Sequence, residues 1–395
     1  MAKEERRQPE LRFKGFTADW EQREFKEIVK RVSKTSNSNQ LPKVEFQDIV
    51  AGQGRLDSNF IEIYDDRKGI VFRPGNILYG KLRPYLKNWL LVDFKGKAIG
   101  DFWVFEENNS NSRFIYYLIQ TNHYQRIAND TSGTKMPRSD WNKVSNSSFF
   151  IPTTNEQELI GQLFKLIDYT LTLHQRKLKK LKTLKKAYLQ QMFPEKTQNI
   201  PKLRFKSFSD EWKQRELSTM TKYKNGKGYE DIQAESGELE LINLNSISLD
   251  GGLKYSGKYV AEAKDTLHKN DIVMILSDIG HGNLLGRVAL IPEDNRFVLN
   301  QRVARLRPNE TVNPEFLFTY INTHQSYFKS QGAGMSQLNL SKSSVENFKN
   351  YVPLLLEQQK IGTFFKHLDE LTTLQKEKLT EFQKIKKSLL NNLFV

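Results

Sequence analysis

Basic side chains are concentrated in two loops of the first half of the chain, each interrupted by glycine or proline. The loops are Tyr79–Asn88 (YGKLRPYLKN) and Ser132–Arg138 (SGTKMPR). Arginine and lysine donate hydrogen bonds to phosphates and to acceptor edges of bases, and loops on a rigid sheet are where such contacts are commonly made. A solvated basic hairpin has the same composition, so contact with nucleic acid is a hypothesis here. Its candidate residues are Lys81, Arg83, Tyr85, Lys87, Lys135 and Arg138.

The second half of the chain has corresponding loops with different side chains. These are SDIGHGNLLGR (Ser277–Arg287), NQR (Asn300–Arg302) and the glycine-led AGMSQLNLS, whose amides suit adenine. A fourth loop, YKNGKGYE (Tyr223–Glu230), is typical of a phosphate clamp, although a surface turn explains it nearly as well. The candidate residues in these loops are Lys227, Ser277, His281, Asn283, Asn300, Gln301, Arg302, Ser336, Gln337 and Asn339.

The sequence lacks the motifs of the common catalytic and cofactor sites. The sequence has no GxxxxGK[ST] phosphate loop, no glycine-rich dinucleotide fingerprint after a strand, and no Pro-Asp of the PD…ExK nucleases. The absence of cysteine excludes thiol catalysis and cysteine-based metal sites, and the six histidines lack metal-ligand spacing. We therefore expect a binding protein that holds no metal or cofactor of its own.

Charge and composition point to the class of partner. The formal net charge of +15 predicts a polyanion, with nucleic acid ahead of an anionic membrane or an acidic protein. Hydrophobic residues make up 38%, which is typical of a folded chain, and no apolar run approaches the roughly 20 residues of a membrane span. The N-terminal segment lacks a signal-peptide core, so we expect a cytoplasmic protein with no membrane partner.

The chain is a tandem duplication. PELRFKGFTADWEQREF (Pro9–Phe25) matches PKLRFKSFSDEWKQREL (Pro201–Leu217) at 10 of 17 positions. Further along, Glu156–Phe193 matches Glu357–Phe394 at 15 of 38 positions without a gap. The offset between the copies drifts in the middle of each half, which indicates that the bodies have gained and lost loops. Each half is thus a motif, a variable body and a long helix.

Each body is predicted to be mixed α and β, with more strands than helices. The predicted strands contain NFIEIYD, GNILYG, NWLLVDF, DFWVF and SFFIP in the first half and LELINLNSI, DIVMIL, RVALI, FVLNQRVARL and NYVPL in the second. A helix is expected near Ser112 and another near Pro314. The predicted boundaries are 1–155 and 201–356 for the two bodies, and 156–200 and 357–395 for the helices.

The two long helices carry an apolar seam at strict 4-3-4-3 spacing, as a two-helix coiled coil requires. Since neither helix can bury its seam alone, we expect the copies to pack on each other, and antiparallel pairing is the simpler geometry. The seam positions are Ile160, Phe164, Ile167, Leu171, His174, Leu178, Leu181, Lys185, Tyr188 and Met192, and Ile361, Phe365, Leu368, Thr372, Gln375, Leu379, Phe382, Lys386, Leu389 and Leu393. The polar members are predicted to set the register or to contact further subunits.

With these motifs, the chain resembles the DNA specificity subunits of type I restriction–modification systems over essentially its whole length. The resemblance rests on PELRFKGF…W opening each half, on PGNILYGKLRPYLKNW, and on a glycine-led loop before a hydrophobic strand. Its most specific element is strand-Pro-x-x-x-Glu-Gln-x-x-Ile-Gly, which occurs as IPTTNEQELIG and VPLLLEQQKIG.

The resemblance implies two target-recognition domains, each reading one half of a split site on double-stranded DNA. It further implies that two long antiparallel helices space these domains. The implied partners are methylation subunits that bring S-adenosylmethionine and restriction subunits that bring ATP hydrolysis, two of each, while this chain catalyses nothing. The residues alone leave two alternatives open: a non-catalytic basic scaffold that binds RNA or an acidic protein, and an enzyme with an unfamiliar site.

Overall fold

The computed structural model describes residues 7–57, 59–131, 135–195, 198–279, 282–335 and 337–395. They form two compact units: unit 1, which is Met1–Arg176 with Glu377–Val395, and unit 2, which is Lys177–Lys376. Each unit therefore includes part of both long helices, whereas the boundaries predicted from the sequence separate the helices from the bodies.

Unit 1 consists mainly of short strands. They are β1 (Glu21–Glu24), β2 (Val29–Val32), β3 (Thr35–Ser36), β4 (Lys43–Val44), β5 (Ile49–Val50), β6 (Arg55–Leu56), β7 (Gly69–Phe72), β8 (Ile77–Gly80), β9 (Trp89–Leu91), β10 (Gly96–Ala98), β11 (Phe102–Glu107) and β12 (Ser148–Ile151). The helices that begin in this unit are α1 (Phe25–Ile28), α2 (Ser112–Leu118), α3 (Asn122–Ala128), α4 (Trp141–Ser145) and α5 (Thr154–Met192). Short 3-10 turns occupy Phe46–Asp48 and Pro84–Leu86.

Unit 2 has a similar succession of elements. Its strands are β13 (Lys213–Glu216), β14 (Thr221–Asn225), β15 (Leu239–Ile242), β16 (Tyr259–Val260), β17 (Ile272–Ile275), β18 (Ser277–Ile279), β19 (Val288–Leu290), β20 (Phe297–Leu299), β21 (Val303–Pro308), β22 (Gln337–Asn339) and β23 (Lys349–Val352). Its helices are α6 (Pro314–Thr323), α7 (Gln325–Ser330), α8 (Lys342–Glu346) and the N-terminal part of α9 (Leu355–Asn392). Two further 3-10 turns lie at Leu217–Thr219 and Glu230–Ile232.

The two units share one sheet topology. In unit 1 an antiparallel sheet has the order β2-β11-β8-β9, and in unit 2 the order β14-β21-β17-β19 gives the same path. Phe102 lies opposite Gly80 in the first sheet, and Val303 lies opposite Ile275 in the second. The N-terminal motif of each half pairs with the strand that precedes the long helix, as β1–β12 and as β13–β23. The duplication inferred from the sequence is therefore a duplication of structure.

Most predicted strands are present, and the structure corrects two of them. The segment 59–65 was expected to be a strand, but it forms only an isolated bridge, and Ile61 and Ile63 are 74% and 50% exposed. The β-branched and aromatic residues of the segment suggested a strand, but Phe60 alone of its apolar residues packs against the core. The run FVLNQRVARL is two strands because Arg302, with a φ of 64°, turns the backbone between β20 and β21. The helices expected near Ser112 and Pro314 are α2 and α6.

The aromatic residues repeated in each half are core residues. Trp20 and Trp212 are each 2% exposed, and they pack edge-on against Phe114 and Phe316 at centroid distances of 6.2 Å. Each unit also receives the end of one long helix. Phe394 stacks on Phe114 in unit 1, and Phe193, the residue after α5, stacks on Phe316 in unit 2.

The Glu-Gln motif fastens the start of each long helix. In unit 1 the buried carboxylate of Glu156 accepts two hydrogen bonds from Arg12, at 2.8 and 2.9 Å. The side chain of Gln157 accepts from the Asn111 amide and donates to the Pro152 carbonyl. A Cβ at Gly161 would lie 2.9 Å from Arg113 Cβ, so glycine permits the close approach of α2.

Unit 2 repeats this arrangement. Arg204 donates twice to the carboxylate of Glu357, and Gln358 bonds Asn313 and Pro353. The buried ion pair raises the pKa of Arg204 above its ordinary value, chiefly through the hydrogen bond to the carboxylate. The most specific element of the sequence resemblance is therefore a structural joint between strand, body and helix.

The predicted helix seam is formed, and the pairing is antiparallel. Within unit 1, Phe164 and His174 pack against Phe394 and Phe382. Within unit 2, Tyr188 packs edge-on against Phe364. Along α5 the partner numbers on α9 fall, which is the mark of antiparallel helices. All twenty seam residues listed above are buried or half-buried.

No helix in the described ranges is long and apolar enough to cross a membrane.

Candidate nucleic-acid interface

The two predicted loops of unit 1 lie side by side. The amide of Arg83 donates to the Pro137 carbonyl at 2.7 Å, and the Ser139 amide donates to the Lys81 carbonyl at 2.9 Å. Leu82 and Arg138 form a bridge between these two bonds. The strand β8 leads into the first loop, and the second loop leads into α4. Backbone pairing therefore brings residues of the two loops, about 50 positions apart in sequence, together on one surface.

The first loop presents Arg83, Tyr85 and Lys87 outward. Arg83 and Lys87 have left-handed backbones, with φ of 49° and 57°, and they flank the 3-10 turn at Pro84–Leu86. Both are exposed, and Tyr85 between them is 56% exposed. Lys135 of the second loop is exposed too. In the described part of unit 1, the side chains of Arg83, Lys87 and Lys135 have no hydrogen-bond or ion-pair partner, so their charges are available to an anionic ligand.

An acidic residue that the sequence reasoning missed lies among these cations. Asp101, in the turn before β11, accepts from Arg138 Nη2 at 3.0 Å and lies 3.5 Å from Lys81 Nζ. Partial burial acts to raise the pKa of Asp101, but the hydrogen bond from Arg138 and the two cationic charges bring it below the ordinary value. Only the strand pairing could have revealed this residue, since it is distant from both loops in sequence.

Unit 2 builds the same backbone frame. The Leu276 amide donates to the Arg302 carbonyl at 2.9 Å, just as the Lys81 amide donates to the Asp101 carbonyl at 2.9 Å. The Leu340 amide donates to the Leu276 carbonyl, which copies the bond from Ser139 to Lys81. On this frame, Arg302 takes the place of Asp101.

The side chains on the frame differ between the units. Asn339 takes the place of Arg138, and Ser277 takes the place of Leu82, since Ser277 pairs with Asn339 as Leu82 pairs with Arg138. The Ser277 hydroxyl donates to Asn339 Oδ1 at 2.8 Å and also accepts from the Gln337 amide group. Because Ser277 is 1% exposed, it does not fit the direct DNA contact predicted from its sequence position. Its role here is to hold Asn339 and Gln337.

A cleft of about 430 Å³ opens beside this frame in unit 2. Arg302, Asn339 and Ser277 line it, together with Asn225 and Lys342, which the sequence analysis did not select. Arg302 is exposed, and its side chain has no hydrogen-bond or ion-pair partner within the ranges that the structure describes. The cleft thus combines two cations with amide and hydroxyl groups, which is chemistry suited to phosphate or to a base edge.

The remaining candidates of unit 2 have various surroundings. Asn300 is 7% exposed, and its side chain accepts from the Gln301 amide, so it fits a structural role better than the predicted contact. The Gln301 amide group donates to Glu230. Asn283 is exposed and accepts from Lys329 at 3.4 Å, and Lys227 is exposed beside a bridge to Asn300. His281 and Ser336 lie outside the described residues.

Comparison with known proteins agrees with the duplicated fold. A family model described as the type I restriction modification DNA specificity domain matches the chain twice, at residues 17–183 and 209–384. Together the two matches cover most of the chain, one in each repeat. The match disfavours the scaffold for RNA or acidic proteins that composition had left open.

Among curated proteins, two relatives come from Methanocaldococcus jannaschii. The MjaVIII type I restriction enzyme specificity subunit is 22% identical over 201 residues, which are 50% of this chain and 45% of that protein. This chain therefore matches less than half the length of that relative. The putative MjaX specificity subunit is 20% identical over 349 residues, which are 84% of this chain and 73% of that protein.

Two solved structures share the fold. The S subunit of a type I restriction–modification system from M. genitalium has a TM-score of 0.66 and 17% identity, and the alignment covers 98% of this chain and 99% of that one. A chain from a structural study of complex assembly and conformational transition in a type I R-M system has a TM-score of 0.54 and 17% identity, with 95% and 97% coverage.

Proposed function

Because the chain belongs to the type I restriction–modification DNA specificity family, we propose that it is the sequence-reading subunit of such a system. Unit 1 reads one half of a split, asymmetric site on double-stranded DNA, and unit 2 reads the other half. The chain directs methylation and restriction to that site and performs neither reaction itself.

The observation that carries the proposal is the shared backbone frame with different side chains. In unit 1 the frame holds Lys81, Asp101 and Arg138, and in unit 2 the equivalent positions hold Leu276, Arg302 and Asn339. A duplicated scaffold that carries different polar groups in its two copies is suited to reading two different half-sites, since base edges are distinguished by donor and acceptor pattern.

Charge supports duplex DNA as the ligand. With a net charge of +15, the chain is attracted to polyphosphate, and the exposed cations Arg83, Lys87, Lys135, Lys227 and Arg302 lie in the loops of the two frames. These residues are proposed to contact phosphates or base edges. Phosphate contacts place the protein on the duplex, while base contacts select the sequence.

The proposed partners follow from the family. Two methylation subunits bring S-adenosylmethionine, and two restriction subunits bring ATP hydrolysis, in a complex that acts on DNA in the cytoplasm. The strand-to-helix joint occurs twice, at Glu156 and at Glu357, so the chain repeats one local structure as two copies of one partner would require.

The test uses the purified chain with and without its methylation subunit. Alone, the chain should neither methylate nor cleave DNA. With the methylation subunit and S-adenosylmethionine, methylation should appear at one bipartite sequence. The proposal would be contradicted by either activity in a pure sample of the chain alone. It would also be contradicted by methylation without sequence preference in the complex.

A single substitution separates the two kinds of contact. If Arg83 contacts a base, Arg83→Ala should relax specificity at one position by roughly 1–3 kcal/mol. If it contacts a phosphate, Arg83→Ala should weaken binding to all sequences alike and reduce the salt dependence by about one counterion. The measurement is DNA affinity as a function of sequence and salt.

A further inference from the structure

The carboxylate of Asp101 lies between two cations of the loop surface, Arg138 and Lys81. Asp101 is 29% exposed, and Arg138, which donates to it, is 52% exposed. A carboxylate near a DNA backbone is repelled by phosphates, so an acid in this place weakens general affinity. We therefore look for a favourable effect of Asp101 on a neighbouring side chain, and its hydrogen bond to Arg138 identifies that side chain.

Asp101 holds the guanidinium of Arg138 by a hydrogen bond of 3.0 Å to Nη2. A guanidinium has five N–H donors in a rigid fork, so one bond to a carboxylate restricts where the group lies and leaves its other donors free. The backbone on each side of Arg138 is fixed as well, because Leu82 and Arg138 form a bridge and the Ser139 amide bonds Lys81. The side chain is therefore held at both ends while half of it faces solvent.

The equivalent position of unit 2 is oriented too, although by different chemistry. Asn339 occupies the place of Arg138, and the buried hydroxyl of Ser277 donates to its Oδ1 at 2.8 Å. In each unit an exposed hydrogen-bonding side chain at this position is held by a residue of a neighbouring segment. A side chain that reads a base must be held in a defined orientation, since hydrogen-bond selectivity depends on geometry. The two units meet this requirement with different residue pairs.

We propose that Arg138 reads a guanine in the half-site of unit 1, and that Asp101 is the positioning residue that holds its guanidinium for this contact. Bidentate donation by arginine to O6 and N7 of guanine is the commonest specific contact in the major groove. The inference rests on the proposed function, and it adds the base that is read, the residue that reads it and the residue that positions the reader.

The experiment uses the full chain assembled with its methylation subunit, and a DNA library randomised across both half-sites. Base preference at each position is measured as the ratio of methylation rates. Asp101→Asn and Arg138→Lys should both reduce the preference for guanine at one and the same base pair, by about tenfold or more, as expected for one bidentate arginine contact. Arg138→Lys keeps the positive charge, so a phosphate contact would leave the preference intact.

The matched control is Glu21→Gln. Glu21 accepts from Arg23 Nη2 at 2.7 Å in a surface pair, so this substitution makes the same change of charge at another arginine–carboxylate pair. It should leave every base preference unchanged. Thermal unfolding of each variant is recorded, and Arg138→Lys carries the test if Asp101→Asn fails to fold.

The possible outcomes distinguish failure of this inference from failure of the proposed function. Loss of guanine preference at one shared position in both variants supports the inference. A wild-type preference profile in either folded variant, or relaxation at different positions in the two, overturns it. A wild-type complex that shows no bipartite site would overturn the proposed function itself.

Discussion

Lys386 Nζ lies 2.7 Å from the carboxylate of Asp168, and the second repeat copies the pair as Lys185 with Asp369. Both lysines are seam positions, so polar groups interrupt each apolar seam at equivalent places. In unit 1 the Tyr117 hydroxyl also donates to Asp168, and Lys386 donates to Gln120. The ion pair thus links α5, α9 and α2 in one register.

A double-mutant cycle on this pair should measure a favourable coupling of about 1.5 kcal/mol, because both partners are partly shielded from water and charged hydrogen bonds are worth about that much. The variants are Asp168→Asn, Lys386→Met and the double variant, compared by denaturant unfolding. The control cycle on the exposed pair of Lys143 with Asp130 should give a coupling close to zero, at most about 1 kcal/mol. Equal couplings in the two cycles would contradict a role of the Lys386–Asp168 pair in setting the helix register.

A fully buried lysine stabilises unit 1. Lys97 is 0% exposed, and its Nζ donates to the carbonyls of Ser38, Asp65 and Arg67 at 3.1, 2.6 and 2.9 Å. Lys97→Met should lower the free energy of unfolding by about 3 kcal/mol, because it leaves three partly buried carbonyls without their charged donor. The exposed Lys95→Met, two residues earlier, should change it by less than about 0.5 kcal/mol. Equal unfolding midpoints for the two variants would contradict this assignment.

How far the sequence predicted the structure depended on the range of the interactions involved. The seam was predictable because its 3.5-residue spacing is local, and the duplication supplied the partner helix. The structural role of the Glu-Gln motif could not be predicted, since the Arg12 that binds Glu156 lies 144 residues away in sequence. Asp101 was missed for the same reason, and Ser277 was selected as a contact because burial cannot be read from a loop sequence. The DNA contacts themselves stay predictions.

Stability should depend on pH through His324. Its ring bonds the Tyr320 carbonyl at 2.8 Å and packs on Tyr320 and Phe348. Burial lowers its pKa below the ordinary value of 6.5, although the carbonyl acts in the opposite direction. The unfolded chain therefore binds a proton more readily, so the His324 contribution to stability is complete above pH 6.5 and is lost as pH falls toward the folded-state pKa.

The slope from this one group should reach at most about 1.4 kcal/mol per pH unit. Denaturant unfolding of the wild type and of His324→Gln from pH 7.5 to 5.5 measures it as a difference between the two curves. We expect the wild type to lose stability more steeply on acidification. Parallel curves would show that the pKa of His324 does not differ between the folded and unfolded states.

The length of the paired helices is expected to set the length of the unread spacer between the half-sites. Because α5 and α9 pair, an insertion in one helix alone would shift its register against the other. Four residues inserted after Arg176 and four after Lys376 lengthen both helices by about 6 Å at roughly 1.5 Å per residue. Mapped methylation sites should keep both half-sites and gain one or two base pairs of spacer. An unchanged spacer at full activity would mean that the helices do not set it.

The central claim is that two separate readers lie in one chain, and exchange of one reader tests it most directly. Residues 30–150 of unit 1 are replaced by the corresponding segment of a related subunit, and methylated sites are mapped genome-wide in cells that contain the chain and its methylation subunit. The account predicts that one half of the recognised site changes while the other half stays the same. A change in both halves together, or in neither, would contradict it.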